Sequence, residues 1–137
     1  MNTLFKLLSG IVLLGVTGCD ISNIDKPSPA YVSMWEKPGA DSTEVGKALL
    51  ECGMPSLIDL DTENRERSNN ARATTYACMI QGGFRYKNEH MGGWCYTYRE
   101  ENLPICRPGA VIPKRSVEKR LNSPFCKRYK NADECQP

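Results

Sequence analysis

The sequence has little of what most catalytic or metal sites need. His90 is the single histidine among 137 residues, and no G-x-S-x-G or H-E-x-x-H pattern is present. The glycine pairs 82–83 and 92–93 lack the lysine and the following helix of a phosphate-binding loop. Polar residues and glycines flank His90, so an exposed turn residue is its simpler interpretation. The sequence therefore favours a non-enzymatic protein that holds no metal and no cofactor.

Large aliphatic side chains are also scarce. Val, Ile, Leu and Phe together supply 18 of the 119 residues in 19–137. Such a composition gives a thin core, and small domains with thin cores usually depend on covalent cross-links. The length leaves room for one small domain only.

No apolar run is long enough to span a bilayer comfortably. Residues 7–16 form the main apolar run and follow Lys6, whereas a transmembrane helix needs about 20 apolar residues. This shape is typical of a secretory leader. The run ends in an aliphatic residue, two small residues and a cysteine, Val16-Thr17-Gly18-Cys19. That order resembles the lipobox of bacterial lipoproteins with a type II signal peptide.

The resemblance implies a processed, lipid-anchored chain. In that family the cysteine carries diacylglycerol, the leader is cut just before it, and the new amino terminus is acylated, commonly with palmitate. Residues 1–18 would be the cleaved signal peptide, Cys19 the lipidation site, 19–31 a flexible tether and 32–137 a single disulfide-rich domain. The alternative is an ordinary secretory leader with Cys19 in a disulfide.

Asp20 follows the expected lipidation site. In enteric lipoproteins an aspartate there resembles a signal for retention on the inner membrane. We therefore expect a periplasm-facing protein on the inner membrane if the host is enteric, and on the outer membrane otherwise.

Six cysteines remain once Cys19 is assigned to the anchor. No two of them are spaced C-x-x-C, which argues against a zinc site and against thioredoxin-like redox chemistry. An even number of cysteines in an oxidising compartment predicts disulfides, although spacing alone does not choose their pairing. The disulfide candidates are Cys52, Cys78, Cys95, Cys106, Cys126 and Cys135.

Two helices are predicted in the first half of the domain. Asp41 and Glu44 have the spacing of a capping box, and an apolar face follows, so we expect a helix over 42–52. A second helix is expected over 62–81, ended by a glycine pair. If the two helices pack antiparallel, Cys52 and Cys78 meet across their seam.

The second half of the domain is predicted to be more irregular. Aromatic residues alternate over 84–98 around a glycine-containing loop, which is typical of a β-hairpin. Prolines make 99–113 irregular, and short helices are expected over 116–121 and 124–135. The predicted fold is thus mainly α, a small disulfide-stapled domain of three or four short helices with one β-hairpin near 84–98. We expect Trp35 and Trp94 in the core and Tyr96 or Tyr98 outside it.

A second resemblance rests on two short patterns. The stretches W-x-K-P-G, at 35–39, and L-L-E-C-G, at 49–53, resemble patterns in small uncharacterised cysteine-rich lipoproteins of Gram-negative bacteria and their prophages. The resemblance implies the class of protein and no mechanism.

Charge is distributed unevenly along the chain. Residues 36–63 hold seven acidic and two basic side chains, whereas 107–130 hold eight basic and one acidic. An exported lipoprotein would turn such a basic segment toward anionic lipid, lipopolysaccharide or an acidic envelope protein, and not toward nucleic acid. A solvated positive face that keeps the protein soluble explains the same pattern. The candidate contact residues are Arg115, Lys119, Arg120, Lys127, Arg128 and Lys130.

These observations favour a membrane-anchored interaction or accessory module of the cell envelope that is not an enzyme. The alternative is a cell-wall hydrolase, with two of the chain's many carboxylates in a cleft, or an inhibitor of an envelope hydrolase with an aromatic loop around 90–98. A purely structural lipoprotein is the third hypothesis.

Overall fold

A computed structural model of the chain describes residues 30–88 and 93–137. The predicted signal peptide, Cys19, Asp20, most of the tether and His90 lie outside these residues. The described part is a small, mainly α domain with three disulfides, as predicted. Its seven short α-helices outnumber the three or four expected. They are α1 (Ala30–Ser33), α2 (Ser42–Glu51), α3 (Thr62–Arg65), α4 (Asn69–Gln81), α5 (Gly93–Thr97), α6 (Val117–Leu121) and α7 (Pro124–Arg128).

A two-stranded sheet and three 3₁₀ helices complete the described elements. The strands are β1 (Trp35–Glu36) and β2 (Arg85–Tyr86), and the 3₁₀ helices are Arg99–Glu101, Pro104–Cys106 and Asp133–Cys135. Ala30 and Tyr31, which the sequence assigned to the tether, belong to α1, and Tyr31 packs against the core.

Helix α2 forms where the sequence predicts it. The Asp41 carboxylate accepts a hydrogen bond of 2.8 Å from the Glu44 N–H, so Asp41 caps the helix. Ala48 and Leu49 lie on its buried side and are almost fully enclosed. The chain leaves the helix at Gly53, which has a φ of +95° that other residues rarely adopt.

The predicted helix over 62–81 is divided into α3 and α4. The Ser68 hydroxyl accepts a hydrogen bond of 3.1 Å from the Ala71 N–H and so starts a new helix. The expected disulfide between Cys52 and Cys78 is confirmed, and it joins the end of α2 to α4. The other two bridges, Cys95–Cys106 and Cys126–Cys135, also join cysteines that are consecutive in the sequence.

The predicted hairpin over 84–98 is wrong. β2 pairs antiparallel with the distant β1, in the register Trp35 to Tyr86 and Glu36 to Arg85. Residues 93–97 form α5 instead of a second strand. Trp94 and Tyr98 are four residues apart, so the same aromatic spacing also places two rings on one side of a helical turn.

The core lies between α2, α4 and the C-terminal segment. Phe125 is fully buried against this core, and α2 packs on α6 and on the 3₁₀ helix Asp133–Cys135. A Cβ added to Gly46 would lie 2.8 Å from Cγ of Glu134, so the glycine permits this close approach. The expected C-terminal helices are confirmed as the shorter α6 and α7.

Candidate functional site

Half of the predicted basic contact surface, its three arginines, is used within the domain. Arg115 Nη2 donates to Glu44 Oε1 at 2.8 Å, and Arg115 Nε donates to Glu51 Oε1 at 3.1 Å. Burial lowers the pKa of Arg115, but the hydrogen bonds and charges of Glu44 and Glu51 outweigh burial and raise it above the usual arginine value. Arg115 therefore joins the C-terminal segment to α2.

Arg120 is removed from the candidate surface because it is buried. Its side chain is 3% exposed, and Nε donates to Glu51 Oε2 at 2.8 Å. Its Nη1 donates to the backbone carbonyl oxygens of Glu134 and Gln136. A cation enclosed in this way cannot reach an anionic lipid or a partner, and its role is to close the C-terminal segment over α2.

Arg128 repeats this pattern at the surface. It donates to Asp61 Oδ2 at 2.9 Å and to Glu63 Oε1 at 2.7 Å. Its hydrogen bond to Glu63 raises the pKa of Arg128 above its ordinary value. Three of the four arginines of the basic segment, Arg115, Arg120 and Arg128, thus pair with acidic residues of 36–63, which accounts for much of the charge asymmetry of the sequence.

Three lysines remain for an external contact. Lys119, Lys127 and Lys130 are exposed and form no ion pair with any residue in the described ranges. The candidate contact surface predicted from the sequence is thereby reduced to these side chains.

A pocket of about 330 Å³ opens between α4, β2 and α5. We call it the aromatic pocket, because four of the described residues that line it carry aromatic rings. Trp94 and Tyr98 are stacked, with ring centroids 5.1 Å apart and planes 12° apart. Tyr76 and Tyr86 meet edge to face at 6.0 Å. The described lining residues are Tyr76, Tyr86, Asn88, Gly93, Trp94, Thr97 and Tyr98.

Trp35 supports one wall of the aromatic pocket from the core. Its ring lies 5.4 Å from that of Tyr76 and 5.1 Å from that of Tyr86. Trp35 is 7% exposed, so its predicted core position is confirmed. Trp94 is only half-buried, and its predicted core position is wrong. Because Trp35 fixes the two tyrosines, this wall is preorganised.

A disulfide and a glycine hold the opposite wall. Cys95 of α5 is bonded to Cys106, in a 3₁₀ helix that packs on α4. Gly93 begins α5 with a φ of +81°, and a Cβ there would lie 3.2 Å from the Tyr76 ring. Together these features place Trp94 and Tyr98 at the pocket. Tyr96, on the same helix, is 61% exposed and lies outside the pocket, as predicted for one of the two tyrosines.

The described lining of the aromatic pocket is polar but uncharged. None of its described lining residues is a carboxylate, a histidine, a thiol, a lysine or an arginine. Its polar groups are tyrosine hydroxyls, the Asn88 amide, the Thr97 hydroxyl and the Trp94 indole N–H. In the described ranges no group of three or more potential ligands is arranged to hold a metal ion. Such a lining can recognise a ligand through ring faces and hydrogen bonds.

Sequence reasoning missed this pocket because its walls come from distant parts of the chain. The available signal was the aromatic spacing at Tyr86, Trp94 and Tyr98, which we interpret above as a hairpin face, whereas Tyr76 falls in the predicted helix over 62–81.

Comparisons of the chain with family models, with curated proteins and with solved structures found no match. Across residues 30–88 and 93–137, no helix is both long and apolar enough to span a membrane.

Proposed function

We propose that this protein is a lipid-anchored module of the cell envelope that binds an envelope component through the aromatic pocket and is not an enzyme. The observation that carries the proposal is the pocket itself, an accessible aromatic cavity with preorganised walls on a disulfide-bonded domain. Preformed concave sites lined by aromatic rings with a few polar groups are typical of ligand-binding sites.

The anchor and the compartment are supported by the sequence. Val16-Thr17-Gly18-Cys19 resembles a lipobox, and three disulfides are typical of proteins in oxidising compartments. We place Cys19 in the membrane and the domain in the periplasm, with Asp20 directing retention on the inner membrane in an enteric host.

The exposed lysines supply a second, weaker contact. Lys119, Lys127 and Lys130 take no part in the ion pairs among residues 30–88 and 93–137, and a lysine near an anionic surface contributes about 1 kcal/mol. They would orient an anchored domain against anionic lipid or lipopolysaccharide. The aromatic pocket would then keep a fixed orientation relative to the membrane when it binds its ligand.

Inhibition of an envelope hydrolase is the second candidate. The disulfide between Cys95 and Cys106 closes a short surface segment that carries the exposed ring of Tyr96. Rigid, disulfide-closed segments that present an aromatic side chain are suited to filling another protein's cleft.

Two variants of α5 separate these candidates. Envelopes from cells that express the full chain with its own leader would be dissolved in detergent, which releases the lipid anchor, and retention of the protein on the detergent-insoluble cell-wall sacculi would be measured. We expect Trp94→Ala to reduce retention on the sacculi and Tyr96→Ala, the matched control, to leave it unchanged. Loss of retention only with Tyr96→Ala would favour the inhibitor. Equal retention of both variants and the native chain would overturn the proposal.

The anchor is tested separately. Intact-mass analysis of the protein from the same cells should show a chain that begins at Cys19 and carries acyl groups. An unprocessed, lipid-free chain would overturn the anchored location.

A further inference from the structure

We infer that the aromatic pocket binds an uncharged saccharide, as a short segment of a glycan chain. This inference rests on the proposed binding function and names the ligand class of the same site.

The first step concerns charge. Because the described residues of the pocket are uncharged, an ionised ligand group in contact with them would lose water without gaining an opposite charge from them. An uncharged ligand avoids this cost.

The second step concerns hydrogen bonding. The hydroxyls of Tyr86 and Tyr98 and the amide of Asn88 can each both donate and accept hydrogen bonds, and the Thr97 hydroxyl, which donates to the Gly93 carbonyl oxygen at 3.0 Å, can accept one. A ligand that satisfies such groups must itself both donate and accept. Sugar hydroxyls do both, whereas a proline-rich peptide, the other usual occupant of aromatic grooves, offers mainly carbonyl acceptors.

The third step concerns the ring faces. An aromatic ring has a negative face, which attracts the weakly positive C–H groups on the face of a sugar ring. The stacked pair Trp94 and Tyr98 lies beside the edge-to-face pair Tyr76 and Tyr86. Sugar rings are apolar on their faces and polar at their edges, so they match a lining of rings with polar groups between them.

The fourth step concerns size and cations. About 330 Å³ is at the lower end of ligand-pocket volumes, which fits a short segment and not a large ligand. Ring faces also bind cations, but the cations that lie over rings in the described structure do so elsewhere, over Phe84 and Tyr96.

The test is an isothermal calorimetric titration of the purified full-length chain with tri-N-acetylchitotriose. The detergent must be a polyoxyethylene, because glycoside detergents would compete as sugars and phosphocholine detergents as ammonium ions. Decaproline and choline serve as probes for the two other ligand classes.

We expect saturable binding of the trisaccharide. Trp94→Ala should weaken it at least about tenfold, and Tyr96→Ala should leave it within about twofold of the native value. Tyr98→Phe keeps the stacked ring and removes only the hydroxyl, so it should weaken binding severalfold without changing the melting temperature. This variant separates sugar recognition from a folding defect.

Binding of decaproline or choline in place of the trisaccharide would overturn the saccharide assignment, and so would equal trisaccharide binding by the native chain and Trp94→Ala. In either case, continued loss of envelope retention by Trp94→Ala would leave the proposed function intact. If retention is also unaffected, both proposals fail.

Discussion

Among the carboxylates of the described ion pairs, Glu51 should be the one whose removal destabilises the domain most. It is buried together with the cation of Arg120, which cannot reach water. Its side chain is 8% exposed and that of Arg120 is 3% exposed. Glu51→Gln keeps the shape of the side chain and removes its charge. Loss of one partner from a buried ion pair typically costs about 3–5 kcal/mol, since the other charge remains buried without compensation.

The matched control is Glu44→Gln, seven residues earlier on α2. Glu44 binds Arg115 but its side chain is 44% exposed, so we expect a loss of about 1 kcal/mol or less. Thermal unfolding with the disulfides intact measures both variants. For a domain of this size about 1 kcal/mol corresponds to a shift of about 4–8 °C, so Glu51→Gln should lower the melting temperature by more than about 12 °C.

A double variant tests the reason for the loss. Glu51→Met with Arg120→Met removes both charges, and it should be more stable than Glu51→Gln because no buried charge is left uncompensated. Equal destabilisation by Glu51→Gln and Glu44→Gln would refute the reasoning, since burial would then make no difference.

Three further variants test the pocket and the exposed lysines. Cys95→Ser with Cys106→Ser should lower the free energy of unfolding by about 3 kcal/mol and abolish trisaccharide binding, because α5 loses its tie to α4; retained binding at a temperature where the variant is folded would contradict this role. Gly93→Ala should cost about 1–2 kcal/mol and weaken binding, because alanine resists a positive φ and its Cβ would press on the Tyr76 ring; calorimetry and melting check both effects. In vesicles with anionic lipid, energy transfer from tryptophan to a headgroup-labelled lipid should fall, with an unchanged melting temperature, when glutamate replaces Lys119, Lys127 and Lys130. Unchanged transfer would remove the lysines from membrane orientation.

Local signals predicted the local elements well. The capping residue and apolar face of α2 lie within one short stretch of sequence. The two predicted helices whose packing brings Cys52 to Cys78 are also neighbours along the chain. The division between α3 and α4 was also locally encoded, because Ser68 is a strong capping residue. As boundary signal, the prediction of one helix over 62–81 used only the glycine pair that ends it.

Nonlocal pairings escaped prediction for a physical reason. The partner of β2 is β1, 49 residues away for the Glu36–Arg85 pair, and aromatic spacing fits both a strand and a helical turn. Whether the basic segment is exposed or paired likewise depends on which acidic residues it contacts in the folded domain. The matching excess of acid in 36–63 and of base in 107–130 was the available sign that the two segments pair with each other.

The order of the disulfides bears on how the chain matures. Each bridge links a cysteine to the next one along the described sequence, Cys52 to Cys78, Cys95 to Cys106 and Cys126 to Cys135. For a chain exported amino terminus first, as proposed, an oxidase that joins thiols in order of their emergence produces the native set directly. Maturation of this protein would then require oxidation alone, without an isomerase to correct mispaired bridges.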